Sequence, residues 1–221
     1  MNTSAQPLSA VTSDVAIFSL RERRLELLLV KRANPPFQGH WALPGGFVRK
    51  DEDLEQAARR ILAEETGVRG VYLEQLYSFG CPDRDPRGRV ISVAYYALIP
   101  SDRLELHAAT DAEAVAWFAL EQLPELAFDH REVVAMAHRR LAAKLDYSTI
   151  AFQFMPEKFT LSDLQEVYET ILREEIDKRN FRKWVLALER IEETQETRRD
   201  GAHRPAKLYR VKQRDEVEFI K

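Results

Sequence analysis

The sequence predicts an α+β chain of two domains, an α/β/α sandwich followed by a winged helix-turn-helix. Three observations predict it. Apolar runs rich in β-formers alternate with two amphipathic helical stretches up to about residue 146. Two short amphipathic helices around a tight turn follow, between about 160 and 188. Two strand-like runs joined by a basic turn containing Asp-Gly then close the chain. The expected division is a flexible tail (1–13), a first domain (14–146) and a second (147–221).

Composition bounds the function. The chain has 221 residues, 45% hydrophobic and 31% charged, within the globular range. A formal net charge of -3 gives no hint of nucleic-acid binding. The single cysteine, Cys81, excludes an internal disulfide and suits a reducing compartment. The N-terminus shows no basic segment followed by an apolar run, and no stretch is apolar enough to span a bilayer. A cytoplasmic location without a membrane partner is expected.

The first domain opens with apolar runs Val15–Leu20 and Leu25–Val30 around a charged turn, which reads as a hairpin. Lys31 and Arg32 end it, placed for a phosphate contact or a solvated strand end. A loop with Pro35 and Pro36 leads through Trp41 to a Gly45-Gly46 corner. The helix after it has a start signal, Asp53 with Gln56 as capping-box partner, and a stop signal, Gly67. Glu64 and Glu65 break a local rule. Carboxylates in the last turn face the negative end of the helix dipole, at about 0.3–1 kcal/mol each. Adjacent carboxylates suit a hard cation such as Mg²⁺, or form a solvated acidic helix end. Strands are expected over 71–79, 90–99 and 114–118. The turn 81–89 carries arginines, Arg84 and Arg87 among them, which would clamp a diphosphate in a bidentate fork or stand exposed on a charged hairpin. Asp129 is expected to cap a helix running to about Leu145.

In the second domain, Ile150–Met155 reads as a short strand. Thr160 caps a helix with Asp163 as its box partner, and Asp177 caps the next. That second helix buries Phe181, Trp184, Val185 and Leu188 and carries Lys178, Arg179, Asn180, Arg182 and Lys183 on its other side. Placed in the major groove, Arg and Lys read guanine edges or hold phosphates, and Asn pairs with adenine. A basic solvated face is the plain alternative. Arg198, Arg199, His203, Arg204 and Lys207 form the basic hairpin, which as a wing would reach backbone phosphates or the minor groove. Between 151 and 221 acidic and basic residues are equal in number, so this clustering is more informative than the total.

Two resemblances follow from these residues. Gly46, Glu52, Arg60, Leu62, Glu64, Glu65, Gly67 and Val68 resemble the Nudix box, with Ile61 where the family has a glutamate. Ile61 supplies no oxygen, so weak metal binding and little or no hydrolysis are expected, with Glu64 and Glu65 as a weak metal site at most. Phe159–Tyr168, Asp177–Lys183 and Arg204–Tyr209 further resemble Nudix-related transcriptional regulators of the NrtR type. That resemblance implies a homodimeric repressor of NAD biosynthesis or salvage genes on palindromic double-stranded operator DNA. It also implies release by ADP-ribose or a related nucleotide diphosphate. Expected effector-binding residues are Arg32, Trp41, Gly46, Arg84 and Arg87. The box residues Glu52, Arg60, Glu64 and Glu65 remain as a catalytic remnant, and no cofactor is required, Mg²⁺ entering only with residual hydrolysis. The alternative is an active Mg²⁺-dependent ADP-ribose pyrophosphatase with an accessory C-terminal domain. A third reading makes the C-terminal domain a protein-interaction module.

Overall fold

The computed structural model describes residues 9–67, 69–100, 102, 112–199, 205–213 and 217–220. Strand β1 (Ala10–Arg21) is longer than its apolar run and begins inside the stretch 1–13 expected as a tail. Thr12, Ser13 and Asp14 are buried with it. It is followed by β2 (Arg24–Arg32), the short β3 (Trp41–Ala42), β4 (Gly45–Phe47), helix α1 (Leu54–Thr66), β5 (Tyr72–Phe79), β6 (Val90–Ile99), β7 (Ala112–Ala119) and α2 (His130–Tyr147). The sheet runs β3-β2-β1-β6-β5, with β4 added to β1 and β7 to β2. Val15, Ala16, Ile17 and Phe18 are all fully buried. Successive strand side chains point to opposite faces, so both faces of β1 are covered.

Local signals set the helix ends. Asp53 accepts from the Gln56 backbone N–H while the Gln56 side chain accepts from the Asp53 N–H, and Gly67 closes α1 at φ 68°. α1 packs on β4 and buries Ala57, Ala58, Ile61 and Leu62. One glycine is sterically required. A Cβ on Gly45 would stand 2.0 Å from Asp14 Oδ1, because β4 pairs Gly45 directly with Asp14.

Contacts divide the described residues into two compact units. One comprises those within 1–17, 27–97 and 105–137, and the other those within 18–26, 98–104 and 138–221. By contacts the division falls inside α2, at His138.

In the second unit, Ile150–Phe154 forms a 3-10 turn where a strand was expected. The Phe152 and Met155 N–H groups bond back to Thr149 and Phe152, which winds the run into a turn and buries Ile150, Ala151, Phe152 and Phe154. Then come α3 (Leu161–Leu172), α4 (Lys178–Ala187), β8 (Ile191–Arg198) and β9 (Ala206–Val211). The Thr160–Asp163 capping box is formed, and Asp177 caps α4 by accepting from Asn180 N–H. Tyr168, Phe181 and Trp184 meet edge-on or tilted, with centroids 5.4–5.7 Å apart, and lock α3 to α4. β8 and β9 pair antiparallel, and Phe159 exchanges two backbone hydrogen bonds with Tyr209 along β9.

Candidate functional sites

The first unit holds a pocket of about 180 Å³ bounded by β1, β4, the turn 81–89 and the start of α2. Buried Asp14 lies at its base. Its carboxylate accepts from Ser92 Oγ at 2.5 Å and from Arg84 Nη2 at 3.5 Å, with His130 Nε2 at 3.8 Å. His130 Nδ1 accepts from the Leu43 N–H at 2.9 Å, so the ring proton is on Nε2, toward Asp14. Burial pushes the imidazole pKa down, against the pull of Asp14 and Asp129.

Three arginines border this pocket in different roles. Arg84 was expected on a diphosphate, but its side chain is 3% exposed and its Nε and Nη2 donate to the two oxygens of Asp129 at 2.9 and 2.7 Å. Burial alone would lower its pKa, and Asp129 with Asp14 more than reverses that. Arg84 is thus a buried tie. Asp129, expected as a helix cap, has both oxygens on this arginine. Arg87 is forked onto Asp85 at 3.0 and 2.7 Å and lies over the rings of Phe47 and Phe128, 5.3 and 5.9 Å from their centroids. Arg32 donates to the Pro36 and Asn34 carbonyls and covers Phe128 at 4.9 Å. Burial and the nearby Arg87 charge hold its pKa below the usual arginine value. Arg87 is already matched by Asp85, so Arg32, whose hydrogen bonds go to carbonyls, is the cation of the two left to meet an anion. Gly46 lines the pocket. Trp41 packs on Phe118 and does not line it. Thr12, Asp14, Phe47, Asp85, Phe128 and His130 line it and were not foreseen. A signal for one existed: Asp14 is a carboxylate directly ahead of an apolar strand run.

The box helix is neutralised from within. Arg60 donates through Nε and Nη2 to Glu52 at 2.9 and 2.7 Å and through Nη1 to Glu64 at 3.0 Å. Arg49 reaches Glu64 at 3.4 Å. The Arg60 hydrogen bonds hold the Glu52 carboxyl at a pKa of about 2. Ile61 is 3% exposed, and its Cδ1 lies 3.9 Å from where a Cβ on Gly46 would be. It is a core residue, whereas the Glu64 side chain on the same helix is 48% exposed. Mg²⁺ is held through one or two carboxylates together with waters and substrate phosphates. Glu52 and Glu64 are held by guanidinium groups and Ile61 offers no oxygen, so an ion there would compete with Arg60 for its carboxylate ligands.

The second unit presents the cationic helix. Lys178, Arg179, Asn180, Arg182 and Lys183 are all exposed on α4, which has no acidic residue. Among the described residues these four cations form no ion pair. Lys178 and Arg179 stand in the first turn, against the positive end of the helix dipole. On the wing strands most charge is spoken for. Arg198 is forked onto Asp163 at 2.7 and 2.9 Å, which ties it to the α3 cap instead of freeing it for phosphate. Lys207 pairs with Glu193 and Arg210 with Glu192. Arg199 is exposed. His203 and Arg204, and Val68 of the box, lie outside the described residues.

A sandwich with a Nudix box joined to a helix-turn-helix with a wing defines a class, a small-molecule-binding domain fused to a DNA-binding one. Comparison with known proteins agrees. The NUDIX domain model matches residues 11–137, and the NrtR DNA-binding winged helix domain model matches 151–211. The chain is 40% identical over 216 residues to the ADPR responsive transcriptional repressor NtrR of Acinetobacter baylyi, covering 96% of this chain and 86% of that protein. It superposes on Shewanella oneidensis NrtR complexed with a 27mer DNA at TM-score 0.82 and 38% identity, covering 91% and 93% of the two chains. The separate NUDIX domain of that protein complexed with ADP ribose superposes at TM-score 0.56 and 37% identity, over 64% of this chain and 94% of that one. The chain belongs to the NrtR family of Nudix-related transcriptional regulators. Among the described residues no helix is long and apolar enough to cross a membrane.

Proposed function

We propose that this protein is a transcriptional repressor that binds operator DNA through α4 and responds to ADP-ribose or a related nucleotide diphosphate in the first-unit pocket. The observation that carries the reading is α4. Four exposed cations stand together on one helix that carries no acidic residue, and among the described residues none of them forms an ion pair. The relatives support it: one is described as ADPR-responsive, and another was crystallised with DNA. The pocket supports the effector, because Arg32 stands over Phe128 without an ion pair among the described residues, beside the Arg87–Asp85 fork. The finer reading is a cytoplasmic homodimer on a palindromic operator of NAD biosynthesis or salvage genes, with no metal required. Effector binding releases DNA to the extent that it favours the state with lower DNA affinity.

The test is a titration of palindromic duplexes from upstream of NAD genes, at stated salt, with and without ADP-ribose. Binding is expected to weaken with ADP-ribose. Arg182→Ala with Lys183→Ala should lower affinity and flatten the salt dependence by about one unit of slope per lost phosphate contact. Failure to bind any such duplex sinks the DNA reading. Unchanged affinity in the double variant favours a protein-interaction role for this domain. Binding that ignores ADP-ribose removes only the effector.

The hydrolase reading rests on the retained Glu52, Glu64 and Glu65. Weak or absent hydrolysis follows from buried Ile61 and the Arg60 clasp. AMP release from ADP-ribose with Mg²⁺ compares wild type with Ile61→Glu. Equal, substantial turnover by both would overturn this account of Ile61.

A further inference from the structure

One residue of α4 is out of character with its face. Leu186 is 47% exposed, one helical turn after Arg182, on a helix whose other exposed side chains are charged, polar or alanine. A single exposed leucine is ordinary. Its setting is the second observation. Arg182 and Leu186 line a groove of about 830 Å³ together with Thr197, Pro205 and Lys207 of the wing strands and their approach, and with Leu161 of α3. Among the described residues no carboxylate lines it. The described lining residues therefore pair cationic side chains with an apolar centre, Lys207 being shared with Glu193 and Arg182 without an ion pair among the described residues.

That combination fits the edge of a DNA major groove. Phosphates answer the cations, and the 5-methyl of thymine is the one apolar group the base edges present there. We propose that this groove seats double-stranded DNA and that Leu186 reads thymine by contact with its methyl group, a specificity-determining role beyond the basic residues of the helix. Arg182, on the same face at i−4, fixes the register by holding a phosphate or a guanine edge. The proposal rests on the DNA-binding reading above.

Its test uses the full chain and a duplex that it selects from a randomised library. Each thymine of that duplex is replaced in turn by deoxyuridine, which removes the methyl and leaves pairing and phosphates intact. Wild type should lose about three- to five-fold in affinity at one thymine or a symmetry-related pair, the worth of one buried methyl group. Leu186→Ala should bind the thymine and uracil duplexes equally, with its salt dependence unchanged. Because Leu186 is half exposed, a thermal melt of the variant should match wild type. Indifference of the wild type to every replacement overturns the proposal, as does sensitivity that persists in Leu186→Ala. An alanine variant that binds all duplexes as tightly as wild type assigns the leucine to a protein partner and overturns it as well. If no duplex is selected, the underlying DNA reading fails with it, a result distinct from selection without methyl dependence.

Discussion

Arg84 and His130 have become structure through burial. The Arg84 guanidinium is tied to Asp129 and faces Asp14, so its removal leaves two largely buried carboxylates without their cation. Arg84→Ala should cost about 3–5 kcal/mol, as breaking a buried pair does, read as a lowered denaturant midpoint. His130 gives a pH dependence with a definite sign. Its folded pKa is depressed, while the unfolded chain returns to about 6.5. Below that value the unfolded state takes up a proton the native state refuses, so stability is full above about pH 6.5 and falls as the pH drops beneath it. Urea unfolding between pH 7.5 and 5.5, compared with His130→Asn, isolates this: the wild-type decline should be the steeper. Neither role was legible in the sequence. Arg84 finds Asp129 across 45 positions and Asp14 across 70, and no local spacing announces such a partner.

Local rules were legible at the scale of the element. Asp53 with Gln56, Thr160 with Asp163, Asp177, and Gly67 each act within a few residues, and each stands where its spacing places it. Ile150–Met155 was not, because a short apolar run carries no periodicity to separate strand from turn. The box helix was half legible. The Arg60–Glu64 pair follows from i,i+4 spacing on one helix, but the second arm of the clasp, to Glu52, appears only once the loop before α1 folds back on it. Asp163 joins two elements, closing the α3 cap and holding Arg198 of β8. Asp163→Ala should lower stability by about 1–2 kcal/mol, a lost cap plus a partly exposed pair. A double-mutant cycle with Arg198→Ala should show the two costs to be non-additive.

For the whole molecule, the proposed effector implies linkage between ligand and stability. At a hundredfold excess over its dissociation constant, ADP-ribose should stabilise the protein by about 2.7 kcal/mol. Thermal unfolding should show an upward shift, confined to the transition of the first unit if two are resolved. The shift should survive EDTA, because Arg60 already supplies the positive charge among the box glutamates. A shift abolished by EDTA would return the metal to the site.

The bare cations of α4 also bear on how DNA is found. The chain is negative overall, at -3, while α4 carries Lys178, Arg179, Arg182 and Lys183 and no acidic residue. Near a polyanion such a body feels a torque as well as a force, and approaches with α4 leading. Fewer encounters are then wasted on the wrong orientation, and a loosely held protein can slide along the duplex. Beyond about 8 Å in physiological salt the field is screened, so this guidance acts over the last few water layers, where a diffusing protein turns to face its site.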